Sequence, residues 1–363
     1  MLETLDTIWW SSLTGSGNCT DVPVLLRTMA TGVEPERDQA FVNLRTLIWD
    51  KGTVYEASAY VVPFLYELLD TAESVDFTLN LLSLLVGLAD GQSSLAVYGH
   101  LPSFDKTRDS EEFQQRLVTE IGWVKNTRDA VSEGSETLTR LLSHKAAPVR
   151  AWAAYTLGRS KRQAAVKCIK PRLDLEGHPS VLATVLLVLS DLEASEALSA
   201  AESFADSDVL VLKFAAAVAL ARSQRDEVRE DVIDFLTSVF MDADVIEEEF
   251  SELDLFPHQA VRDLADLAVD AFELIGQPRT AKAIPKLLAA LKNMPSEYVS
   301  APLRALLCAA FGSQLSSPQS ISAGQQKVLQ TLQSYPHCWE QVPQSFKQAL
   351  GAASAEAAAG ESA

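Results

Sequence analysis

The stretch Pro148-Val149-Arg150-Ala151-Trp152-Ala153-Ala154-Tyr155-Thr156-Leu157-Gly158 decides the fold. Val149, Trp152, Ala153, Thr156 and Leu157 fall at i, i+3, i+4, i+7 and i+8, which is one buried stripe along a helix. The stripe returns at Val181, Thr184, Val185, Val188 and Leu189, and again at Leu212, Ala215, Ala216, Ala219 and Leu220, with offsets of 32 and 31 residues. A fourth copy, Val261, Leu264, Ala265, Ala268 and Val269, starts 49 residues after Leu212. That spacing implies an insertion of about one to two dozen residues into a regular period.

A second kind of helix alternates with the first. Val22-Pro23-Val24-Leu25-Leu26, Val62-Pro63-Phe64-Leu65-Tyr66 and Ile284-Pro285-Lys286-Leu287-Leu288 each read as an opening, with Lys170-Pro171-Arg172-Leu173 a weaker copy. Proline suits the first turn of a helix, where its missing N–H is not needed. The alternation predicts one helix pair per repeat, stacked along the chain.

These motifs resemble the HEAT-repeat family. Pro148-Val149-Arg150 with Thr156-Leu157-Gly158 is similar to the opening and ending of its first helix. Pro179-Ser180-Val181 and Ala260-Val261-Arg262 match in part, and Ile284–Leu288 is similar to the opening of its second helix. The resemblance covers residues 20–312. It implies an all-α fold, a right-handed α-solenoid of HEAT-like antiparallel helix pairs, and says little about chemistry.

The expected organisation is a single solenoid over 1–351. It has irregular repeats in 1–145, regular ones in 146–312 and a C-terminal cap in 313–351, followed by an Ala-rich tail, 352–363, expected to fray. Residues 1–14 read as a capping helix whose Trp9 and Trp10 cover the first repeat. Helices are expected over 35–50, 55–70, 75–90 and Glu111–Ser132, the last buried through Phe113, Leu117, Ile121 and Val124. Gly91–Asp109 reads as an ordered loop, either functional or a plain insertion on one edge.

Composition excludes several classes. Lys and Arg number 30 against 49 Asp and Glu, a net charge of −19. Such a chain does not neutralise nucleic-acid phosphates or seek anionic lipid. Its longest strongly apolar uncharged runs, Phe77–Ala89 and Gly177–Ser190, fall short of the roughly 18–20 residues of a membrane span. The acidic N-terminus lacks the basic region of a signal peptide, and four widely spaced cysteines make no disulfide scaffold or metal pair, so a cytoplasmic protein is expected.

Chemical motifs are few. None of the five histidines is followed by Glu, as in the helical-repeat hydroxylases that hold two irons, and no HExxH is present. Phosphate-binding and nucleophile-elbow glycine patterns are missing too. The stretch 242–254 holds Asp242, Asp244, Glu247, Glu248, Glu249, Glu252 and Asp254 without a base. A calcium loop starting at Asp242 needs Gly at its sixth position and Glu at its twelfth, where this chain has Glu247 and Leu253. A solvated loop and a contact surface for a basic protein both remain open. Arg159, Lys161, Arg162, Lys167, Lys170 and Arg172 form the one basic cluster, either an inner surface or solvated helix ends.

The run Trp49–Tyr60 resembles a segment of bacterial HEAT-repeat proteins, some of them thought to be immunity proteins for secreted toxins. The resemblance implies a non-catalytic cytoplasmic protein, without metal or cofactor, that binds and occludes a basic toxin. Asp242, Asp244, Glu247, Glu248, Glu249 and Glu252 are the expected contacts. A generic assembly scaffold is the alternative, and a helical-repeat lyase acting on a chromophore ranks below it.

Overall fold

The computed structural model describes residues 2–159, 163–241, 257, 264–312 and 321–360, with side chains as far as 353. Among the described residues the chain is all-α apart from one two-stranded hairpin. It divides into two compact units, Met1–Glu176 and Gly177–Ala363, and each is described by itself.

The first unit opens with 3-10 turns at Leu5–Thr7, Trp10–Ser12 and Cys19–Asp21, not with the expected capping helix. Trp10 is buried, its Nε1–H donating to Leu5 O at 2.8 Å, whereas Trp9 is 83% exposed. Adjacent side chains in a tight turn diverge, so only one of the two indoles covers the core. Helices α1 (Val22–Thr31) and α2 (Glu34–Ile48) follow, then strands Trp49–Asp50 and Thr53–Val54, and α3 (Glu56–Thr71). The hairpin turn, Lys51-Gly52, has positive φ at both positions (48° and 85°), as the turn type that matches strand twist requires. The Ser58 hydroxyl locks it to α3, accepting from Tyr55 N–H at 2.9 Å and donating to Ile48 O at 2.6 Å. Pro63 lies inside α3 and does not open a helix. The hairpin and Ser58 start the helix earlier, and Val61, Val62, Phe64 and Leu65 around the proline are buried.

Next come α4 (Val75–Ala89), α5 (Ser94–Tyr98), α6 (Glu111–Glu133), α7 (Ser135–Leu141), α8 (Ala147–Arg159), α9 (Gln163–Ile169) and α10 (Arg172–Leu175). Helix α3 packs on α6, and α4 packs on α8. The 91–109 segment is no plain loop, since α5 and a 3-10 turn at Pro102–Phe104 fold it against α6. Its anchor is Glu120, a buried carboxylate that accepts from Ser93 Oγ–H at 2.8 Å and Leu95 N–H at 2.9 Å and pairs with Arg116. It caps α5 from the side. Glu120 takes the inner position expected of Ile121, which is 51% exposed.

The second unit comprises α11 (Pro179–Asp191), α12 (Ser195–Phe204), α13 (Leu210–Gln224), α14 (Glu230–Met241), α15 (Leu264–Ile275), α16 (Ile284–Leu291), α17 (Ser300–Phe311), α18 (Ala323–Gln333), α19 (Pro336–Trp339) and α20 (Gln344–Gly360). Helix α11 packs on α12 and α13, α13 on α14 and α15, and α15 on α14 and α17. The three complete stripes of the repeat are buried, as are Leu264, Ala268 and Val269 of the fourth; Val261 lies outside the described residues. Proline opens α1 and α16 as expected. Pro171, by contrast, precedes only the single turn of α10. Helix α20 runs on into the Ala-rich segment expected to fray, in keeping with alanine's high helix propensity. Phe346 anchors it, edge-on to Phe311 at 4.8 Å.

Two glycines near α6 should respond in opposite ways. A Cβ on Gly134 would lie 2.0 to 2.3 Å from the Tyr66 ring, whose hydroxyl donates to Val131 O at 2.6 Å. Gly134→Ala should therefore cost about 1–3 kcal/mol in chemical denaturation. A Cβ on Gly122 would meet nothing within 4 Å, so Gly122→Ala should stabilise by up to about 1 kcal/mol.

Candidate functional site

Asp242, Asp244, Glu247, Glu248, Glu249 and Glu252, the contacts expected from sequence, lie outside the described residues. The charge around them still has a clear distribution. Residues 1–176 hold 18 Lys and Arg against 23 Asp and Glu, a net of −5. Residues 177–363 hold 12 against 26, a net of −14. The second unit therefore carries most of the −19.

Its described carboxylates fall into two groups. One group is neutralised between helices. Glu230 and Asp234 on α14 meet Lys282 and Lys286 near α16 at 3.0 and 2.5 Å. Asp206 and Asp231 share Arg229 at 3.3 and 2.5 Å, and Asp191 at the end of α11 meets Arg222 in the last turn of α13 at 2.5 Å. Asp270 and Glu273 on α15 converge on Arg304 of α17 at 2.9 and 2.7 Å. The other group has no ion pair among the described residues and includes Glu193 after α11, Glu202 on α12, Asp208 before α13, Asp226 and Glu227 after α13, Glu297 before α17 and Glu340 after α19. All seven are exposed. Glu193 is held at φ 54°, an uncommon conformation for a residue with a Cβ, at the position where a chain leaves a helix. Counting charge by segment, not over the whole chain, is the sequence signal that would have found them.

Two members of the basic cluster, Arg159 and Arg172, are tied into the fold. Arg159 Nε donates to Asp90 Oδ1 at 2.8 Å. Arg172 and Arg150 both bind Glu176, Arg150 in a two-pronged pair at 2.8 and 2.7 Å. Arg150 also donates to His144 O at 2.9 Å, and the Glu176 hydrogen bonds push its pKa above the ordinary range against the pull of burial. Lys161 and Arg162 lie outside the described residues, and Lys167 and Lys170 are exposed.

The nucleophilic side chains are muted by their surroundings. Burial pushes the Cys308 thiol up to about 12, with Glu273 nearby adding to the rise. Burial likewise raises Cys19, helped by Glu56, and Cys338. A thiol attacks as its thiolate, so these three sulfurs are poor nucleophiles near neutral pH. His144 Nδ1 accepts from Ala146 N–H at 3.1 Å, and His337 Nε2 lies 2.9 Å from Leu291 O, so both rings are engaged with backbone groups. Among the described residues no three His, Cys, Asp or Glu side chains are placed to share a metal ion. Nor, among them, is any helix long and apolar enough to cross a membrane.

No protein-family model and no curated protein sequence matches the chain. The second unit presents exposed carboxylates that no cation among the described residues neutralises. They could hold lysine and arginine side chains through charge-assisted hydrogen bonds.

Thiol labelling checks the burial pattern. In the native protein Cys168, half-buried, should react first with a charged thiol reagent, and Cys19, Cys308 and Cys338 only on unfolding. The Cys308 proton is held more tightly in the folded state. Its contribution to stability should be full below about pH 9 and be lost as pH rises through about 12.

Proposed function

We propose that this chain is a non-catalytic, protein-binding right-handed α-solenoid of HEAT-like helix pairs, and that its partner is a basic protein. The observation that carries this reading is the concentration of charge. A net of −14 lies in residues 177–363, with Glu193, Asp208, Asp226 and Glu227 exposed on turns and without an ion pair among the described residues. Complementary charge accelerates encounter and suppresses wrong partners. The helix order supports the repeat reading: α11 packs on α13, α13 on α15 and α15 on α17, so alternate helices neighbour one another along the chain. A stack of that kind offers a long surface without needing a pocket.

On the resemblance of Trp49–Tyr60, the partner is a bacterial toxin and the chain its cytoplasmic immunity protein. It would act by occlusion, covering the basic surface with which the toxin grips its substrate. Asp242, Asp244, Glu247, Glu248, Glu249 and Glu252 would extend the contact from the turns.

The test uses tagged full-length protein on host lysate, washed at rising salt. A single basic partner released by salt is expected. An acidic partner, or one that survives high salt, would point instead to an assembly scaffold and overturn the charge-based reading. With the partner in hand, Glu193, Asp208, Asp226 and Glu227 changed together to Lys should slow association by about tenfold or more and flatten its salt dependence. Changing the six residues of 242–252 in the same way should weaken binding further. Unchanged affinity in either variant would remove that set from the contact.

A further inference from the structure

Cations gather in one stretch of the first unit. From Thr137 to Leu173 there are nine Lys and Arg and no Asp or Glu. The rest of the chain holds 21 Lys and Arg against 49 Asp and Glu, a net of −28. Folding draws part of that stretch to one place. The chain returns along α8 through α9 and α10 until Glu176 meets Arg150 in the first turn of α8. Arg150 and Arg172 both bind this carboxylate, at 2.7 to 2.8 Å. All three are well covered, the arginine side chains being 15% exposed and Glu176 3%. One carboxylate answers two guanidiniums, so the trio keeps a positive charge, and the buried Nε of Arg172 finds no acceptor. Arg150 also donates to Lys145 O at 3.1 Å, which holds the backbone of the exposed Lys145 against the trio. Lys170 and Lys167, both exposed, precede Arg172 by two and five residues. Along 145–176 the acids are Asp174, which is exposed, and Glu176 itself.

We propose that Lys145, Lys167 and Lys170, set around the Arg150–Glu176–Arg172 trio, bind a small molecule through a diphosphate group. These five cations with Asp174 and Glu176 leave the site at +3. A single phosphate carries about −1.5 to −2, so two linked phosphates come closer to matching it. Guanidinium forks and lysine ammonium groups are the side chains that suit phosphate oxygens. The hydrogen bonds to Glu176 hold both arginines in place, so the site has a rigid base. A carboxylate ligand suits it less, because Glu176 already takes the two-pronged position on Arg150. Nucleic acid suits it less again. A long polyanion would run on from this site over the rest of the chain, whose net charge is −28. The inference does not rest on the basic-partner reading, since it uses the other unit and the opposite charge.

Isothermal titration calorimetry of the full chain with inorganic diphosphate tests it. Saturable binding is expected, weakening as salt rises. Sulfate should bind more weakly by about tenfold or more, since it offers less charge to the same cations. Lys145→Gln, Lys167→Gln and Lys170→Gln together should lower diphosphate affinity by about tenfold or more, with circular dichroism unchanged. All three side chains are exposed, so the fold does not depend on them. Arginine at the same three positions should keep the binding. Lys125→Gln, on α6 and paired with Asp129, should leave it untouched. Four results would each overturn the proposal: no saturable binding, sulfate binding as tightly as diphosphate, full affinity in the triple Gln variant, or tighter binding of a single-stranded oligonucleotide than of diphosphate.

Discussion

Everything in the second unit follows from how deeply two of its helices are buried. Helix α11 is buried without a break from Ser180 to Ser190, and α13 from Val211 to Ala221 except at Lys213. A helix enclosed on nearly all sides has little face to give to water, so it favours apolar groups and hydroxyls short enough to bond within the helix. The threonines show how: Thr184 donates to Ser180 O and Thr156, in α8, to Trp152 O, each within its own helix. Close packing also favours small residues, hence the run Ala215-Ala216-Ala217. Charge is forced to the ends. The pairs Asp191–Arg222 and Asp90–Arg159 sit there, with each arginine in the last turn of its helix, where a cation is favoured. The free acids of the turns belong to the same pattern. The charged surface that could meet a partner is what remains when the helix interiors exclude charge.

Where a charge does go inside, it is fully occupied. Glu176 is gripped by two arginines, and Glu120 takes two hydrogen bonds from the start of α5 and one from Arg116. Removing one partner of such a group costs several kcal/mol because the other is left buried and unpaired. Neither carboxylate is therefore available for chemistry, and both serve to fix where short, weak helices attach. Helices α5 and α10 are too short to persist alone, and each is tied to a long neighbour through one of these carboxylates.

The sequence by itself determined the helical class, the positions of α8, α11 and α13, and the stripes they bury, because a 3.6-residue apolar period admits few other outcomes. It also determined the charge and where along the chain it accumulates. It did not reveal that Trp9 faces solvent while Trp10 is buried, that Pro63 sits within a helix, or that Glu120 displaces Ile121 from the inner side of α6. Those depend on partners that an apolar period does not specify: Leu5 O and Phe64 for Trp10, the hairpin for α3, Ser93 and Leu95 for Glu120. Which acids are spent in ion pairs and which are free was likewise decided only by the tertiary structure. A carboxylate's state is set by the cation that folding places within about 4 Å of it, and no local pattern encodes that distance.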